Sequence, residues 1–212
     1  MEFYNKTVII TGASVGIGKA TAIEFARNGA NVCIVDINAE GLDTLAEEIK
    51  SIGANVSSYI CDVSDEQRVH EVTQEIINQY GKIDILVNNA GLWRMWKPFV
   101  ETTSDEWKKR LSVNILGLMY FTHEVLPNMI ENSYGRIINI GSVAGVYGNA
   151  NMADYSMTKG AVSSFTKALA KELGIELKET QITVGLTLAD LYNFDSEVGN
   201  NETARTPIGF GR

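Results

Sequence analysis

The chain has 212 residues, of which 45% are hydrophobic and 21% charged, a composition typical of one globular domain with a substantial core. Its net charge of -8 gives no electrostatic reason to bind nucleic acid or an anionic membrane, because an acidic protein repels phosphate at long range. No apolar run has the length of a membrane span, and the N-terminus lacks the basic and apolar regions of a signal peptide. We therefore expect a cytoplasmic protein with no nucleic-acid or membrane partner.

The two cysteines, Cys33 and Cys61, lie in apolar segments that resemble strands. Without a secretory signal, we expect free buried thiols rather than a disulfide. No cluster with the spacing of metal ligands accompanies them, and the two histidines are single residues in helical patterns. The sequence therefore predicts no metal site.

A short β-branched run, Thr7–Thr11, leads into a glycine-rich turn and then into a helical pattern. Strand, glycine turn and helix together aim backbone N–H groups and a helix N-terminus at a phosphate. A glycine-rich turn alone is often only a tight connection, but the flanking strand and helix favour a nucleotide site. The residues predicted to bind the cofactor here are Gly12, Ser14, Gly16, Ile17 and Gly18.

The second predicted strand, Asn31–Asp36, ends in a carboxylate eighteen residues after Gly18. This spacing is close to the roughly 20 residues expected for the acid that hydrogen-bonds an adenosine ribose. A carboxylate there repels a 2′-phosphate, and neither Ile37 nor the glycine turn offers a compensating basic side chain. The alternative is an acid at a helix N-terminus, where Asn38 is already available as the cap. We therefore predict that Asp36 selects NAD over NADP.

Further alternation of strands and helices follows. A helix over Ala39–Ser51 precedes a strand at 55–61, and Ser64 with Gln67 predicts a capping box for a helix that ends at Tyr80. A fourth strand at 83–87 opens into the segment 88–91, whose small and amide residues let the backbone approach a ligand. Four such units with short connections predict an α/β fold with a Rossmann-type doubly wound parallel sheet. Cofactor contacts are predicted at Asn89, Ala90 and Gly91.

Tyr155 and Lys159 are four residues apart in a helical pattern and therefore share one face of the helix. An ammonium beside a phenol lowers the tyrosine pKa from its usual value of about 10, which makes a general base usable near neutral pH. A fifth strand at 136–142 delivers Ser142, whose hydroxyl can hydrogen-bond an alcohol or carbonyl oxygen. Such a pair alone is common on helix surfaces, but its convergence with Ser142 near the glycine turn favours catalysis.

Taken together, these motifs resemble the short-chain dehydrogenase/reductase family over roughly residues 1–185. The resemblance implies a strand order 3-2-1-4-5-6. It also implies that Lys159 binds the nicotinamide ribose as well as lowering the pKa of Tyr155, and that Asn114 kinks its helix and holds a water on a proton path. The residues that carry the resemblance are the turn from Thr11 to Gly18, Asp36, Asp62, Val63, the segment 88–91, Asn114, Ser142, Tyr155 and Lys159. Asp62 and Val63 are accordingly expected to contact the cofactor.

The activity implied is reversible hydride transfer between NAD and a secondary alcohol or ketone, with Tyr155 moving the hydroxyl proton and Ser142 orienting the substrate oxygen. A 3-oxoacyl-thioester reductase of the same family is one alternative, against which Asp36 and the net charge count. A non-catalytic dinucleotide-binding protein is the other, against which the complete set of Asn114, Ser142, Tyr155 and Lys159 counts. The family also buries the apolar faces of the helices near Thr103 and Tyr155 in subunit contacts, so a homodimer or homotetramer is expected.

Two parts of the chain leave the substrate undetermined. Trp93, Met95 and Trp96 follow the segment 88–91 and are equally consistent with core packing and with a substrate cleft. The C-terminal part departs from the family pattern, since a sixth strand at 181–184 runs directly into Gly185 without a Pro-Gly turn. Thr187 is the expected nicotinamide contact there. We expect an incomplete substrate lid at 185–212 and no seventh strand, explained either by residues absent from the written sequence, which the intact core motifs favour, or by a real truncation.

Overall fold

The computed structural model describes residues 2–93 and 96–173. The strands are β1 (Thr7–Thr11), β2 (Asn31–Asp36), β3 (Val56–Ile60), β4 (Ile85–Asn88) and β5 (Arg136–Asn139). The helices are α1 (Gly16–Arg27), α2 (Ala39–Ser51), α3 (Glu66–Tyr80), α4 (Ser104–Leu111), α5 (Leu118–Glu131), α6 (Ala144–Tyr147) and α7 (Ala153–Glu172). None of the helices in the described ranges is long and apolar enough to cross a bilayer. The sixth strand predicted at 181–184, the lid predicted at 185–212 and Thr187 lie outside the described residues.

The five strands form one parallel sheet in the order β3-β2-β1-β4-β5, which confirms the predicted Rossmann-type fold and the predicted order for these strands. β1 pairs with β2 on one side and with β4 on the other. The chain therefore builds outwards from β1 to β3 and then crosses back to start β4. This reversal between β1 and β4 opens a crevice at the carboxyl edge of the sheet, which is where doubly wound folds bind ligands.

Apolar residues cover both faces of the sheet, as a parallel sheet requires. In β1, Ile9 faces the cluster built with α3, α5 and α7, whereas Val8 and Ile10 face the cluster built with α1 and α2. All three side chains are fully buried. Because both faces of β1 are buried, its sequence is a continuous apolar run rather than an alternation of apolar and polar residues.

Polar side chains cross-link the elements behind β4 and β5. The Asn88 amide donates to Thr122 Oγ1 of α5 at 3.0 Å and to Asn139 Oδ1 of β5 at 2.9 Å. The Asn139 amide in turn donates to Thr166 Oγ1 of α7 at 2.8 Å. Because these groups are buried, their hydrogen bonds are needed to offset desolvation, and they fix the relative positions of the two strands and two helices.

Helix α3 begins one residue later than the sequence predicts. Asp65, not Ser64, is its N-cap, and the Asp65 side chain accepts from the N–H of Arg68. Ser64 is instead bonded to Asp62, whose Oδ1 accepts from both the backbone N–H of Ser64, at 2.9 Å, and its hydroxyl, at 2.7 Å. An acidic Asx-type turn thus displaces the predicted capping box.

Strands β4 and β5 are shorter than predicted, beginning at Ile85 and ending at Asn139 respectively. Ser142 therefore lies in the connection after β5 rather than on the strand itself. The segment that follows contains α6, a single helical turn. Thr103 and Glu106 form a capping box at the start of α4. The predicted Asn38 cap of α2 is confirmed, because its side chain accepts from the N–H of Gly41.

The helix carrying Asn114 is not a uniform α-helix. A π-helical segment, Ser112–Gly117, connects α4 to α5. A Cβ on Gly117 would lie 2.6 Å from Val63 Cγ2, so this widened turn packs directly against the connection after β3. Segments of this type occur frequently at functional sites because they change the direction of one side chain without ending the helix.

Candidate active site

The turn after β1 presses closely against the segment that follows β4. Gly12 has φ +62°, and a Cβ there would lie 2.8 Å from the Ala90 Cα. Gly18 is equally crowded, because its Cβ would overlap the Gly12 carbonyl and lie 2.6 Å from Asn89 Nδ2. Glycine is required at Gly12 both for its left-handed backbone and for lack of space, and at Gly18 for lack of space.

Thr11 and Asn89 lock these two segments together. Thr11 Oγ1 accepts from the N–H groups of Asn89, at 3.1 Å, and Ala90, at 3.0 Å. The Asn89 amide donates to the carbonyls of Thr11 and Gly12, both at 2.9 Å. Asn89 is a predicted cofactor contact, and in the structure its side chain holds the glycine turn in shape.

The N-terminus of α1 fits an anionic group. The helix starts at Gly16, its N-cap Val15 provides no side-chain hydrogen bond, and its first turn carries no acid. A Cβ on Gly16, at φ +56°, would meet nothing within 4 Å, so the space in front of this turn is open. Uncapped N–H groups at a helix N-terminus bind phosphate. The predicted turn residues Ser14, Gly16, Ile17 and Gly18 are therefore brought together in a form suited to a dinucleotide pyrophosphate.

Asp36 stands beside the same turn. Its Oδ2 accepts from the N–H of Ser14 at 3.0 Å, and its Oδ1 accepts from the N–H of Asn38 at 3.0 Å. The carboxylate is thus fixed between the end of β2 and the glycine turn. The nearest basic residue along the turn, Lys19, is directed towards α2, where it forms an ion pair with Glu48 at 2.8 Å.

Two further cofactor contacts are predicted directly after β3, and one of these residues is exposed while the other is buried. Asp62 is exposed and binds Ser64, while Val63 is buried against the π-helical segment. Both follow β3 at the carboxyl edge of the sheet. The structure therefore places them on the same edge as Asp36, at the end of the strand next to β2.

Tyr155 and Lys159 lie together in the first half of α7, as their spacing predicts. The Lys159 Nζ is 6.0 Å from the centroid of the Tyr155 ring. It donates to the carbonyl of Ile140 at 2.7 Å, which holds the ammonium at the carboxyl end of β5. The two residues are only 8% and 7% exposed. A cation confined so close to a buried phenol favours the phenolate.

The connection after β5 closes over this pair. Ser142 is buried, and its Oγ accepts from the N–H of Ala144 at 3.2 Å. Ala144 and Met152 pack against Tyr155 in a small apolar cluster. Helix α6 lies so close to α7 that a Cβ on Gly145 would be 2.5 Å from the Lys159 carbonyl carbon. Ser142 is thereby brought to the tyrosine side of α7.

Asn114 projects from the π-helical segment towards the same region. Its Oδ1 accepts from the N–H of Leu92 at 2.6 Å, and its Nδ2 donates to the Leu92 carbonyl at 3.2 Å and to Thr158 Oγ1 at 3.1 Å. A Cβ on Gly91 would lie 3.6 Å from both Asn114 Oδ1 and Lys159 Nζ. Gly91 thus marks the place where Asn114 and the ammonium of Lys159 approach each other.

The aromatic residues after Gly91 are not part of the core. Trp93 and Trp96 are 44% and 56% exposed, which rules out core packing for these two side chains. Met95 lies outside the described residues. The segment containing Trp96 is tied to the connection before α7 by the hydrogen bond from the N–H of Lys97 to the Asn151 carbonyl, at 3.0 Å.

Both cysteines are free and buried, as predicted. Burial raises the pKa of the Cys61 thiol to about 12 and raises the pKa of the Cys33 thiol further. Thiolate nucleophiles require the opposite shift, so the structure assigns these cysteines to the core.

The sequence profile of the family described as short chain dehydrogenase matches residues 6–197. A 3-oxoacyl-[acyl-carrier-protein] reductase of Thermotoga maritima is 37% identical over 213 aligned positions, which cover 100% of this chain and 86% of the relative. The structure of an NAD+-bound xylitol dehydrogenase superposes with a TM-score of 0.81 at 35% identity, covering 87% of this chain and 69% of the other. A metagenomic short-chain oxidoreductase in complex with NADP superposes with a TM-score of 0.83 at 27% identity, covering 92% of each chain.

The chain therefore belongs to the short-chain dehydrogenase family. It is an oxidoreductase that acts on CH–OH groups of small molecules with a nicotinamide dinucleotide as cofactor.

Proposed function

We propose that this protein catalyses reversible hydride transfer between NAD and a secondary alcohol or ketone, with Tyr155 as the acid/base. The observation that carries the proposal is the buried pair of Tyr155 and Lys159, with the Lys159 Nζ 6.0 Å from the ring centroid and fixed on the Ile140 carbonyl. When bound, the nicotinamide ring donates or accepts the hydride.

Three side chains act on the substrate oxygen and its proton. Tyr155 Oη takes the hydroxyl proton when an alcohol is oxidised and returns it when a ketone is reduced. Lys159 holds the tyrosine in a form able to do so, because its charge stabilises the phenolate. The hydroxyl of Ser142 orients the substrate oxygen and stabilises negative charge that develops on it.

Asn114 completes the proton path that begins at Tyr155. Its Oδ1 and the Lys159 Nζ lie at equal distances, 3.6 Å, from the position of a Cβ on Gly91. Because the Asn114 amide is held by Leu92 and Thr158, its carbonyl oxygen keeps a fixed direction. A carbonyl oxygen oriented in this way holds a water molecule, and that water passes protons between the ammonium and solvent.

The proposed cofactor site runs along the carboxyl edge of the sheet. The turn residues Gly12, Ser14, Gly16, Ile17 and Gly18 take the pyrophosphate at the N-terminus of α1. Asp36 takes the adenosine ribose, Asp62 and Val63 border the adenine, and Asn89, Ala90 and Gly91 line the nicotinamide half with Tyr155 and Lys159. Thr187, which lies outside the described residues, is retained as a proposed nicotinamide contact.

Asp36 and its surroundings support NAD over NADP. A 2′-phosphate would meet a carboxylate that is already held by the N–H groups of Ser14 and Asn38. Lys19, the basic residue that directly follows the glycine turn, is engaged by Glu48. Among the similar structures, one contains NAD+ and another NADP, so this preference is proposed from the residues of this chain alone.

Reduction of a 3-oxoacyl thioester is the second candidate. It is favoured by the Thermotoga maritima relative, whose alignment covers the whole of this chain. The net charge of -8 disfavours an acidic carrier protein as the donor of the thioester. The exposed Trp93 and Trp96 at the edge of the site are compatible with an apolar substrate of either kind.

We also propose a homodimer or homotetramer in the cytoplasm. Leu116 and Met119, in the helix that carries Asn114, and Met157 of α7 are 40%, 41% and 54% exposed. Subunit contacts would bury such apolar side chains. The free thiols of Cys33 and Cys61 are consistent with a reducing compartment.

The proposed function is tested by turnover with NAD and, separately, NADP over a panel of secondary alcohols, and with NADH and NADPH over a 3-oxoacyl N-acetylcysteamine thioester. Tyr155→Phe should lower turnover by more than about a thousandfold while leaving the dissociation constant of NADH within a few-fold. Tyr134→Phe is the matched control, because this tyrosine lies under Lys6 near the opposite edge of the sheet. Retention of about a tenth of the activity in Tyr155→Phe would contradict the assignment.

A further inference from the structure

Charged side chains are rare in the interior of this protein. Among the described residues, the buried ones are Asp84, Arg110, Asp154 and Lys159. Asp84 is neutralised by Lys6 and Lys82 near the amino edge of the sheet. The other three converge on the first half of α7, where Tyr155 is located.

Arg110 and Asp154 form a buried ion pair between the last turn of α4 and the first turn of α7. The two residues are 4% and 6% exposed. Asp154 Oδ1 also accepts from the backbone N–H of Tyr155 at 3.0 Å. The N-cap of α7, Met152, provides no side-chain hydrogen bond. Asp154 is therefore the side chain that satisfies the amide of Tyr155, and Arg110 holds Asp154 in place.

The stability of the fold does not explain why this ion pair is buried. Removing two charges from water costs about as much as their attraction returns, so apolar residues of similar volume are often equally stable or better. A buried pair does impose a unique geometry, because each partner must meet the other. Here the geometry that it imposes is that of the helical turn from which the catalytic tyrosine projects.

The pair also determines the charge around the phenol. Within α7, Asp154 and Lys159 lie on either side of Tyr155 in the chain. The charged residues of α4 that are not exposed are Arg110 and, one turn earlier, Glu106, which is paired with Lys97 at 3.2 Å. Helix α6, the connection 148–152 and the π-helical segment contribute no charged side chain. Arg110 therefore cancels Asp154 and leaves Lys159 as the net cation beside the tyrosine.

We propose that Arg110 and Asp154 are positioning residues that hold the first turn of α7 and keep the surroundings of the Tyr155 phenol net positive. The inference rests on the proposed role of Tyr155 as the acid/base. It requires that the two partners, when removed singly, change the ionisation of Tyr155 in opposite directions. Removing both charges at once should restore the original ionisation of Tyr155.

The experiment follows the ionisation of Tyr155 directly. The protein is labelled with ζ-13C tyrosine and saturated with NAD+, and the Tyr155 resonance is identified by its absence in Tyr155→Phe. Arg110→Met removes the positive charge that faces Asp154 and should raise the titration midpoint by about one pH unit, whereas Asp154→Asn removes the negative charge that faces Arg110 and should lower the midpoint by about as much. In the double variant the midpoint should return to within about 0.3 units of the original protein.

Two further variants keep the test decisive. Arg110→Lys preserves the charge and should leave the midpoint in place even if Arg110→Met does not fold. Lys109→Met removes an exposed charge from the same helix and should also leave it in place. The alcohol-oxidation rate should follow the same midpoints, with the dissociation constant of NADH within about threefold throughout.

Shifts of the same sign in both single variants, or no shift in either, would overturn the inference and reduce the pair to a structural contact. This result is distinct from failure of the proposed function, which would appear as activity retained in Tyr155→Phe. The titration itself needs no substrate, so it reports on the pair under either outcome.

Discussion

The side chain of Asn114 and the backbone of Leu92 exchange two hydrogen bonds, from the Leu92 N–H to Oδ1 at 2.6 Å and from Nδ2 to the Leu92 carbonyl at 3.2 Å. This reciprocal pairing resembles one rung of a β-ladder, with the amide of Asn114 in place of a strand. It attaches the connection after β4 to the π-helical segment and, through Thr158, to α7. Asn114 is therefore the point at which three parts of the site are joined.

Asn114→Ala should lower the free energy of unfolding by about 2–4 kcal/mol, because it leaves the partly buried N–H and carbonyl of Leu92 without partners. Urea unfolding followed by circular dichroism measures the change. Asn28→Ala is the control, since the Asn28 amide bonds to Glu24 at the surface, and a loss of about 1 kcal/mol or less is expected. Equal losses of unfolding free energy in the two variants would show that the hydrogen bonds between Asn114 and Leu92 contribute no more than a surface contact.

Gly16→Ala and Gly53→Ala separate backbone strain from cofactor binding. Both glycines have positive φ, +56° and +76°, and a Cβ on either would meet nothing within 4 Å. Each substitution should therefore cost about 1–2 kcal/mol of stability for the left-handed backbone. Only Gly16→Ala, at the N-terminus of α1, should also raise the dissociation constant of NADH, by on the order of tenfold. Unchanged NADH binding in Gly16→Ala would contradict the proposed pyrophosphate site.

Asp36→Asn keeps the size of the side chain and removes its charge. We expect the ratio of kcat/KM with NAD to kcat/KM with NADP to fall by on the order of tenfold or more, because the repulsion of a 2′-phosphate is lost. Asp43→Asn, an exposed carboxylate on α2, is the matched control and should leave the ratio unchanged. A ratio equally unaffected in Asp36→Asn would refute the proposed basis of NAD selection.

The buried thiols predict a loss of stability at alkaline pH. Burial raises the pKa of Cys61 to about 12 and raises that of Cys33 further, whereas both thiols titrate near about 8.5 in the unfolded chain. Below that value both states are protonated and the stabilisation is fully present. As the pH rises above it, the unfolded state releases protons that the folded state retains, so the free energy of unfolding falls by about 1.4 kcal/mol per pH unit for each thiol.

Urea unfolding between pH 8 and pH 11 measures this slope. Cys33→Ala should make this slope shallower by about 1.4 kcal/mol per pH unit, which is the contribution of one thiol. Val35→Ala, a buried and non-titrating position two residues along the same strand, should lower the stability equally at every pH. An unchanged slope in Cys33→Ala would show that the thiol does not contribute.

The sequence by itself determined the sheet, the order of its elements and the helical face that Tyr155 shares with Lys159. β-branched runs such as Thr7–Thr11, ended by glycine, are local signals, and the spacing from Tyr155 to Lys159 is converted by helical geometry into a shared face. For this reason the five strands and the adjacency of Tyr155 and Lys159 agreed with expectation. Errors occurred at ends of elements, as at Ser64, whose hydroxyl donates to Asp62 while Asp65 provides the cap.

Only the tertiary structure showed what holds the site in place. The contacts of Thr11 with Asn89, of Asn114 with Leu92 and of Arg110 with Asp154 join residues that are 78, 22 and 44 positions apart. Each partner alone is an ordinary polar residue in a strand, a helix or a loop. Whether such a side chain stays in solvent or meets a buried partner depends on how the sheet and helices pack, and no local pattern contains that information.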